Sequence, residues 1–185
     1  MSEPGNRRGR LLVASPSLSD DNFARAVVLV LEHNEEGSLG LVLNRPTGLP
    51  AQEALPERIS HLLPEDEQIH KGGPVQPEAV IVVADFIDVE HAASIAFDTV
   101  GIVDPEGDLG DLHAHVRTSR AFGGSAGWGA WQLEGDIVDE AWIDASGLAE
   151  DVFTREPEEL WRQVLERKGG TYRIVARMPD DPTLI

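Results

Sequence analysis

The apolar positions of this chain fall into short runs, and their spacing changes from one run to the next. Ala26–Glu32 (AVVLVLE) and Ala79–Phe86 (AVIVVADF) are β-branched and continuous, which predicts strands buried on both faces. Ser38–Asn44 (SLGLVLN) predicts a similar strand, and Gly9–Ala14 (GRLLVA) a shorter one closed by Ser15-Pro16. His33–Gly37 (HNEEG) between two of these predicts a hairpin closed by a type I turn and a left-handed glycine. Ser19-Asp20-Asp21-Asn22 offers capping side chains for a brief helical turn through Phe23.

Farther on, Pro46, Gly48 and Pro50 break the strand pattern. Ala51–Leu63 reads as helix in pieces, limited by Pro56 and Pro64. Ile95–Val103 supplies one or two short strands, and Asp104–Asp111 a loop. Arg120–Phe122 predicts a short strand, after which Gly123-Gly124-Ser125-Ala126-Gly127 is expected to turn the backbone sharply into a helix within Trp128–Val138. Trp142–Asp144 reads as extended. Glu158–Lys168 is the best helix: Pro157 suits its first turn, acids lead, Arg167 and Lys168 close it, and Gly169 stops it. Thr171–Arg177 (TYRIVAR) reads as a final strand. Strands and helices mix without clean β–α–β alternation, so the expected fold class is α+β in one domain, residues 9–185, behind a disordered arm over 1–8.

Composition narrows the function. At 185 residues the chain holds one core comfortably, and no apolar run exceeds six residues, far short of the roughly 20 of a membrane helix. With no cysteine there is no disulfide, thiol nucleophile or thiolate metal site, and cytoplasmic placement is the simplest reading. Fifteen basic and 33 acidic residues leave a net charge of −18. That charge repels polyanions and disfavours direct nucleic-acid contact by the folded body.

The candidate chemistry sits at three breaks in the pattern. Asn44-Arg45-Pro46 ends a strand; Pro46 holds Arg45 extended, and Arg45 is then a preorganised fork for carboxylate or phosphate. The same triplet reads as structure if Asn44 satisfies free backbone groups. Gly72-Gly73-Pro74 permits close backbone approach or exposed amides, though it matches neither the phosphate-loop nor the dinucleotide pattern. Gly127-Trp128 leads to Gln132-Leu133-Glu134. Ser125 among its glycines lacks the nucleophile-elbow spacing and a clear histidine, which weakens a hydrolase reading. His113-x-His115 with Asp111 upstream is compatible with a metal ion, but no further cluster supports it and no metal or cofactor is assigned. Glu65-Asp66-Glu67 and Asp139-Glu140 read as solvated faces.

As an ordered set these pieces resemble the YqgE/AlgH family of uncharacterised bacterial proteins. The matching residues are Gly9–Pro16, Phe23, Glu32-His33-Asn34, Gly37, Gly40–Pro46, Gly72–Val75, Ala126-Gly127-Trp128, Gln132-Leu133-Glu134 and Trp142. Each is weak alone; their order and spacing run from residue 9 to the C-terminus. The resemblance implies an α+β domain with mostly antiparallel sheets in a partly closed, barrel-like core with flanking helices, and it implies no established activity. Members are sometimes labelled transcriptional regulators. Ser125 stands where the family pattern has tyrosine, Trp131 where it has glycine and Glu140 where it often has asparagine, which alters any shared pocket.

The expectation is therefore a pocket formed by Asn44, Arg45, Pro46, Gly72, Gly73, Pro74, Gly127, Trp128 and Gln132. In it Arg45 holds a small anion, Asn44 orients it and Trp128 forms an apolar wall. The function expected is a non-catalytic protein binding a small anionic ligand or a protein partner, with an indirect regulatory role. DNA contact and hydrolysis stand as alternatives.

Overall fold

The computed structural model describes residues 5–180. Ten strands lie in sequence order: β1 (Leu11–Ala14), β2 (Val27–Asn34), β3 (Gly37–Val42), β4 (Pro46–Pro50), β5 (Gln68–Lys71), β6 (Val75–Phe86), β7 (Ser94–Phe97), β8 (Val100–Ile102), β9 (Val116–Gly129) and β10 (Trp142–Ala145). They join in one sheet along the path β10-β1-β2-β3-β9-β6-β8-β7, with β4 and β5 as a side branch. All pairings are antiparallel except that of β5 with β9. The fold is α+β, as expected. The sheet is not closed into a barrel: β10 and β7 end the path and do not pair with each other among the described residues. Strand β9 is the spine, bonded to β6 on one edge and to β3 and β5 on the other.

The doubly buried strands follow from their sequence. Leu29 and Leu31 of β2 face one core with Leu11, Val13, Leu41 and Leu43, while Val28 and Val30 face a second with Leu12, Ala14, Trp128 and Trp142. A third core under β6 and β9 holds Val82, Ala84, Phe86 and Ala121 against Leu62 and Leu63. Each fully buried leucine or valine contributes about 1.5–3 kcal/mol relative to exposure. Hairpin β2–β3 is tighter than expected, because Asn34 pairs with Gly37 and leaves only Glu35 and Glu36 in the loop.

Helices α1 (Ala51–Ala54) and α2 (Glu57–Ser60) are the expected pieces, separated by Pro56. Helix α3 (Gln132–Val138) covers the second core through Leu133, and α4 (Ala149–Val152) precedes α5 (Pro157–Lys168). Helix α5 has Pro157 in its first turn and buries Leu160, Trp161, Val164 and Leu165 against the first core.

Three expectations are overturned. Pro46–Pro50, expected to break the strand pattern, forms β4 and pairs with β5. The glycine-rich segment does not turn: β9 runs straight through it to Gly129, and α3 begins only at Gln132. Thr171–Arg177 is not a strand but contains α6 (Tyr172–Val175). Gly169 and Gly170, both at positive φ, return the chain onto α5. Tyr172, Val175 and Ala176 then pack at i, i+3 and i+4 on the first core. Of the arm expected over residues 1–8, 1–4 lie outside the described residues. Arg7 is anchored, its amide donating to His33 Nδ1 (3.0 Å) and its side chain pairing with Asp144.

Candidate functional site

Asn44 and Arg45 stand at the exit of β3, where the backbone turns toward β4. Asn44 is buried, accepting a hydrogen bond from the Val27 amide (3.0 Å) and donating to the Arg25 carbonyl (2.9 Å). Each end of its amide thereby serves a backbone group, which is the structural role weighed for it, and one N–H and one lone pair remain uncommitted among the described residues.

Arg45 is different. Its Nη2 donates to the Ala24 carbonyl and its Nη1 more weakly to Asn44 O (3.4 Å), using two of five N–H donors. Among the described residues it has no carboxylate within 4.0 Å. Burial lowers its pKa from the usual arginine value, yet a guanidinium remains protonated at neutral pH.

Arg45 lines a cavity of about 470 Å³ with Arg25, Asn44, Trp161 and Arg162, rimmed by Glu158, Glu159 and Asp180. The other two arginines are occupied. Arg25 lies 4.2 Å from the Trp161 ring centroid, donates to the carbonyls of Met178 and Pro179, and pairs with Asp180 (3.0 Å). Arg162 pairs with Glu159 (3.2 Å). Arg25 carries φ +54, uncommon for a residue with a side chain, and this conformation directs the chain from the turn after Asp20 into β2. Sequence reasoning missed Arg25 and Trp161; α5 brings Trp161 here, and its indole donates to Ala14 O (2.8 Å).

The other expected pocket residues go elsewhere. Arg45 O accepts from the Lys71 amide (2.7 Å), which keeps Gly72 close by in the backbone. Yet Gly72 and Gly73 serve a crossing: a Cβ on either would strike the backbone of Gly124 or Ser125 in β9. Pro46 is exposed in β4 and pairs with His70. Trp128 packs edge-on against Trp142 (5.8 Å) inside the second core, and Gln132 accepts from the Gly129 amide (2.9 Å). Neither these residues nor Pro74 and Gly127 line the Arg45 cavity.

A second polar cluster, unanticipated, lies under β9. Arg120 is 2% exposed and makes a two-pronged pair with Glu67, Nε to Oε1 at 3.1 Å and Nη2 to Oε2 at 3.2 Å. Its remaining reach goes to the carbonyls of Val152 (3.3 Å) and Thr154 (2.8 Å). Glu67 is therefore not part of a solvated face. Burial, opposed by Glu67 and reinforced by Arg155, lowers the Arg120 pKa. Beside them His70 Nδ1 donates to Gln68 O (3.2 Å), and burial together with the Arg120 charge pushes its pKa down to about 4. A neutral ring at pH 7 makes the 3.9 Å approach of His70 to Glu67 a dipolar contact and not an ion pair.

The third polar tie joins pieces of the recognised pattern. His33 accepts from Arg7 at Nδ1, so Nε2 carries the proton and donates to Glu134 Oε1 (2.6 Å). The β2–β3 hairpin is thereby pinned to α3. Ser125, the residue that kept a hydrolase in view, is buried inside β9 and paired with Val75, with no histidine hydrogen bond among the described residues.

Comparison with known proteins places this geometry. The family model described as AlgH-like (DUF179) matches residues 11–173. The chain belongs to the AlgH-like family. A UPF0301 protein of Streptomyces coelicolor is 43% identical over 190 residues, covering 100% of this chain and 98% of that one. One from Streptomyces avermitilis is 41% identical over 193 residues with the same coverage. The solution structure of the AlgH protein from Pseudomonas aeruginosa superposes with TM-score 0.70 at 29% identity, covering 97% of both chains. The crystal structure of protein DIP2367 from Corynebacterium diphtheriae superposes with TM-score 0.86, covering 96% of this chain and 95% of that one; at 24% identity it speaks to the fold alone. As an AlgH-like protein, the chain carries no helix among its described residues long and apolar enough to cross a membrane.

Proposed function

We propose that this AlgH-like protein is a non-catalytic, cytoplasmic binding protein that takes a small anionic ligand at Arg45 and acts indirectly in regulation. One observation supports the reading: of the three arginines around the cavity, Arg25 and Arg162 are paired with acids, and Arg45 has no acidic partner among the described residues. A half-buried guanidinium with unused donors favours a carboxylate or phosphate, and Trp161 supplies the apolar floor first expected of Trp128. Direct DNA contact is disfavoured by a net charge of −18. Hydrolysis is disfavoured by the burial of Ser125 within a strand.

The test is a thermal-melt panel of organic acids, sugar phosphates and nucleotides at fixed salt. A ligand at about 100 times its Kd adds about 2.7 kcal/mol, or roughly 5–10 °C for a domain of this size. The reading requires a shift with at least one anion that disappears in Arg45→Ala. A shift that survives this substitution, or none across the panel, overturns it.

A further inference from the structure

The first strand edge of β9 and the last of β6 bring together side chains far from the Arg45 cavity. Phe86 pairs with Val116, and the Ile87 amide donates to His115 O (2.8 Å), which fixes Asp88 beside His115. A single 3₁₀ turn (Val89–His91), closed by the His91 amide on Asp88 O (3.1 Å), then returns His91 over the same spot. His115 Nδ1 lies 2.9 Å from Asp88 Oδ2, and the His91 and His115 rings stack with centroids 4.0 Å apart. The donor atoms of Asp88, His91 and His115 all lie within 4.8 Å of one another.

The histidine pair considered from sequence, His113 and His115 with Asp111, does not form this group. Residues 112–115 are a 3₁₀ turn and not an extended segment, so alternate residues do not share a side. His115 takes its partners from the loop after β6 instead.

From this geometry we infer a divalent transition-metal site of the zinc class, with Asp88, His91 and His115 as ligands and a water in the fourth position. Two imidazoles and one carboxylate are a donor set suited to zinc, nickel or cobalt and ill-suited to magnesium or calcium, which take oxygen. Tetrahedral zinc with bonds of about 2.0–2.2 Å sets its donors roughly 3.3 Å apart. Asp88 and His91 are exposed, so solvent leaves their side chains space to adjust toward that spacing. The contact of His115 with Asp88 already aligns one donor pair. Arg117, two residues beyond His115 in the chain, is engaged by Asp85 (3.2 Å) and Phe86 O (2.7 Å). A net charge of −18 enriches divalent cations near the surface.

The decisive experiment uses tag-free, EDTA-stripped full-length protein, titrated with zinc chloride against a chromophoric chelator and with cobalt(II) followed by its visible spectrum. One zinc per chain and cobalt bands of a tetrahedral site are expected. His91→Ala and His115→Ala each weaken zinc binding at least about tenfold, the scale on which even outer partners of a metal act. The control His61→Ala leaves it unchanged. Because His91 is exposed, its variant decides the question even if His115→Ala unfolds. Absence of zinc binding, or binding that both histidine substitutions leave intact, overturns the assignment.

Discussion

Arg45 and Arg120 make an instructive pair. Each belongs to a β-strand or its exit, each loses solvent on folding, and each has its pKa lowered by burial. Arg120 meets Glu67 in a two-pronged contact and donates to two carbonyls besides, so its charge is consumed within the molecule. Among the described residues Arg45 meets only carbonyl oxygens, and it opens onto a cavity. A buried arginine is thus no index of a site by itself. What distinguishes a binding arginine is the part of its charge that the protein leaves uncompensated.

This contrast is most sharply tested by removing the internal anion. Glu67→Ala strands the Arg120 guanidinium in a dry environment and is expected to cost about 3–5 kcal/mol, measured as a lower urea midpoint. A cost below 1 kcal/mol on this scale would place Glu67 and Arg120 in water in solution and erase the distinction.

His70 belongs to the same interior and gives it a pH signature. Its pKa is about 4 in the folded protein and near 6.5 unfolded. Below 6.5 the unfolded chain takes up a proton that the native state refuses, so stability is complete above that pH and falls as pH drops toward 4. The loss attributable to this residue is on the order of 3 kcal/mol. His70→Asn keeps a donor for Gln68 O and should flatten the stability profile between pH 6.5 and 4 relative to wild type. An unchanged slope would mean that His70 is protonated in the native state.

Next in size is Asn44→Ala, which leaves the Val27 amide and the Arg25 carbonyl without their side-chain partners. About 2 kcal/mol is expected on chemical denaturation. Arg45→Ala closes the series with the smallest stability effect, about 1 kcal/mol, and the largest effect on anion binding. If Arg45 proved as costly to remove as Glu67, it would have to be counted with the interior.

The N-terminal sheet was legible because its signal is local. The continuous apolar run of 26–31 leaves no room for a wet face, and the structure buries Leu29 and Val28 on opposite sides of one strand, whereas in 79–86 full burial begins only at Val82. Helix α5 was legible from its proline, its charge order and its closing glycine. β9 was not, since glycines carry no side chain to reveal period; Gly124 at φ +75 is tolerated inside the strand because Gly73 crosses against it. In α6 the residues Tyr172, Val175 and Ala176 already had helical spacing, masked by the β-branched Thr171, Ile174 and Val175.

At the candidate site only half could be read. Arg45 was found through its proline, whereas Arg25 and Trp161 reach the cavity from the preceding turn and from α5. Glu67 and Arg120 are 53 residues apart, and nothing near either names the other. The one available clue was a charge at position 120 beside Ala121 and Phe122, an arginine in an apolar strand that required an internal partner.

The position of β9 within the chain also dictates an order of assembly. A ribosome delivers β1 through β8 before Val116–Gly129 emerges, yet β3, β5 and β6 all need that segment for an edge. Until then the growing polypeptide holds the β2–β3 hairpin and the β6–β8–β7 ribbon as separate pieces with open backbone edges. The outer edge of β1 waits longer still: Leu11 meets Leu29 of β2 early, but its other partner is Ala145. A molecule built this way completes its sheet only after Trp142–Ala145 has emerged, and until then its unpaired strand edges are open to wrong partners.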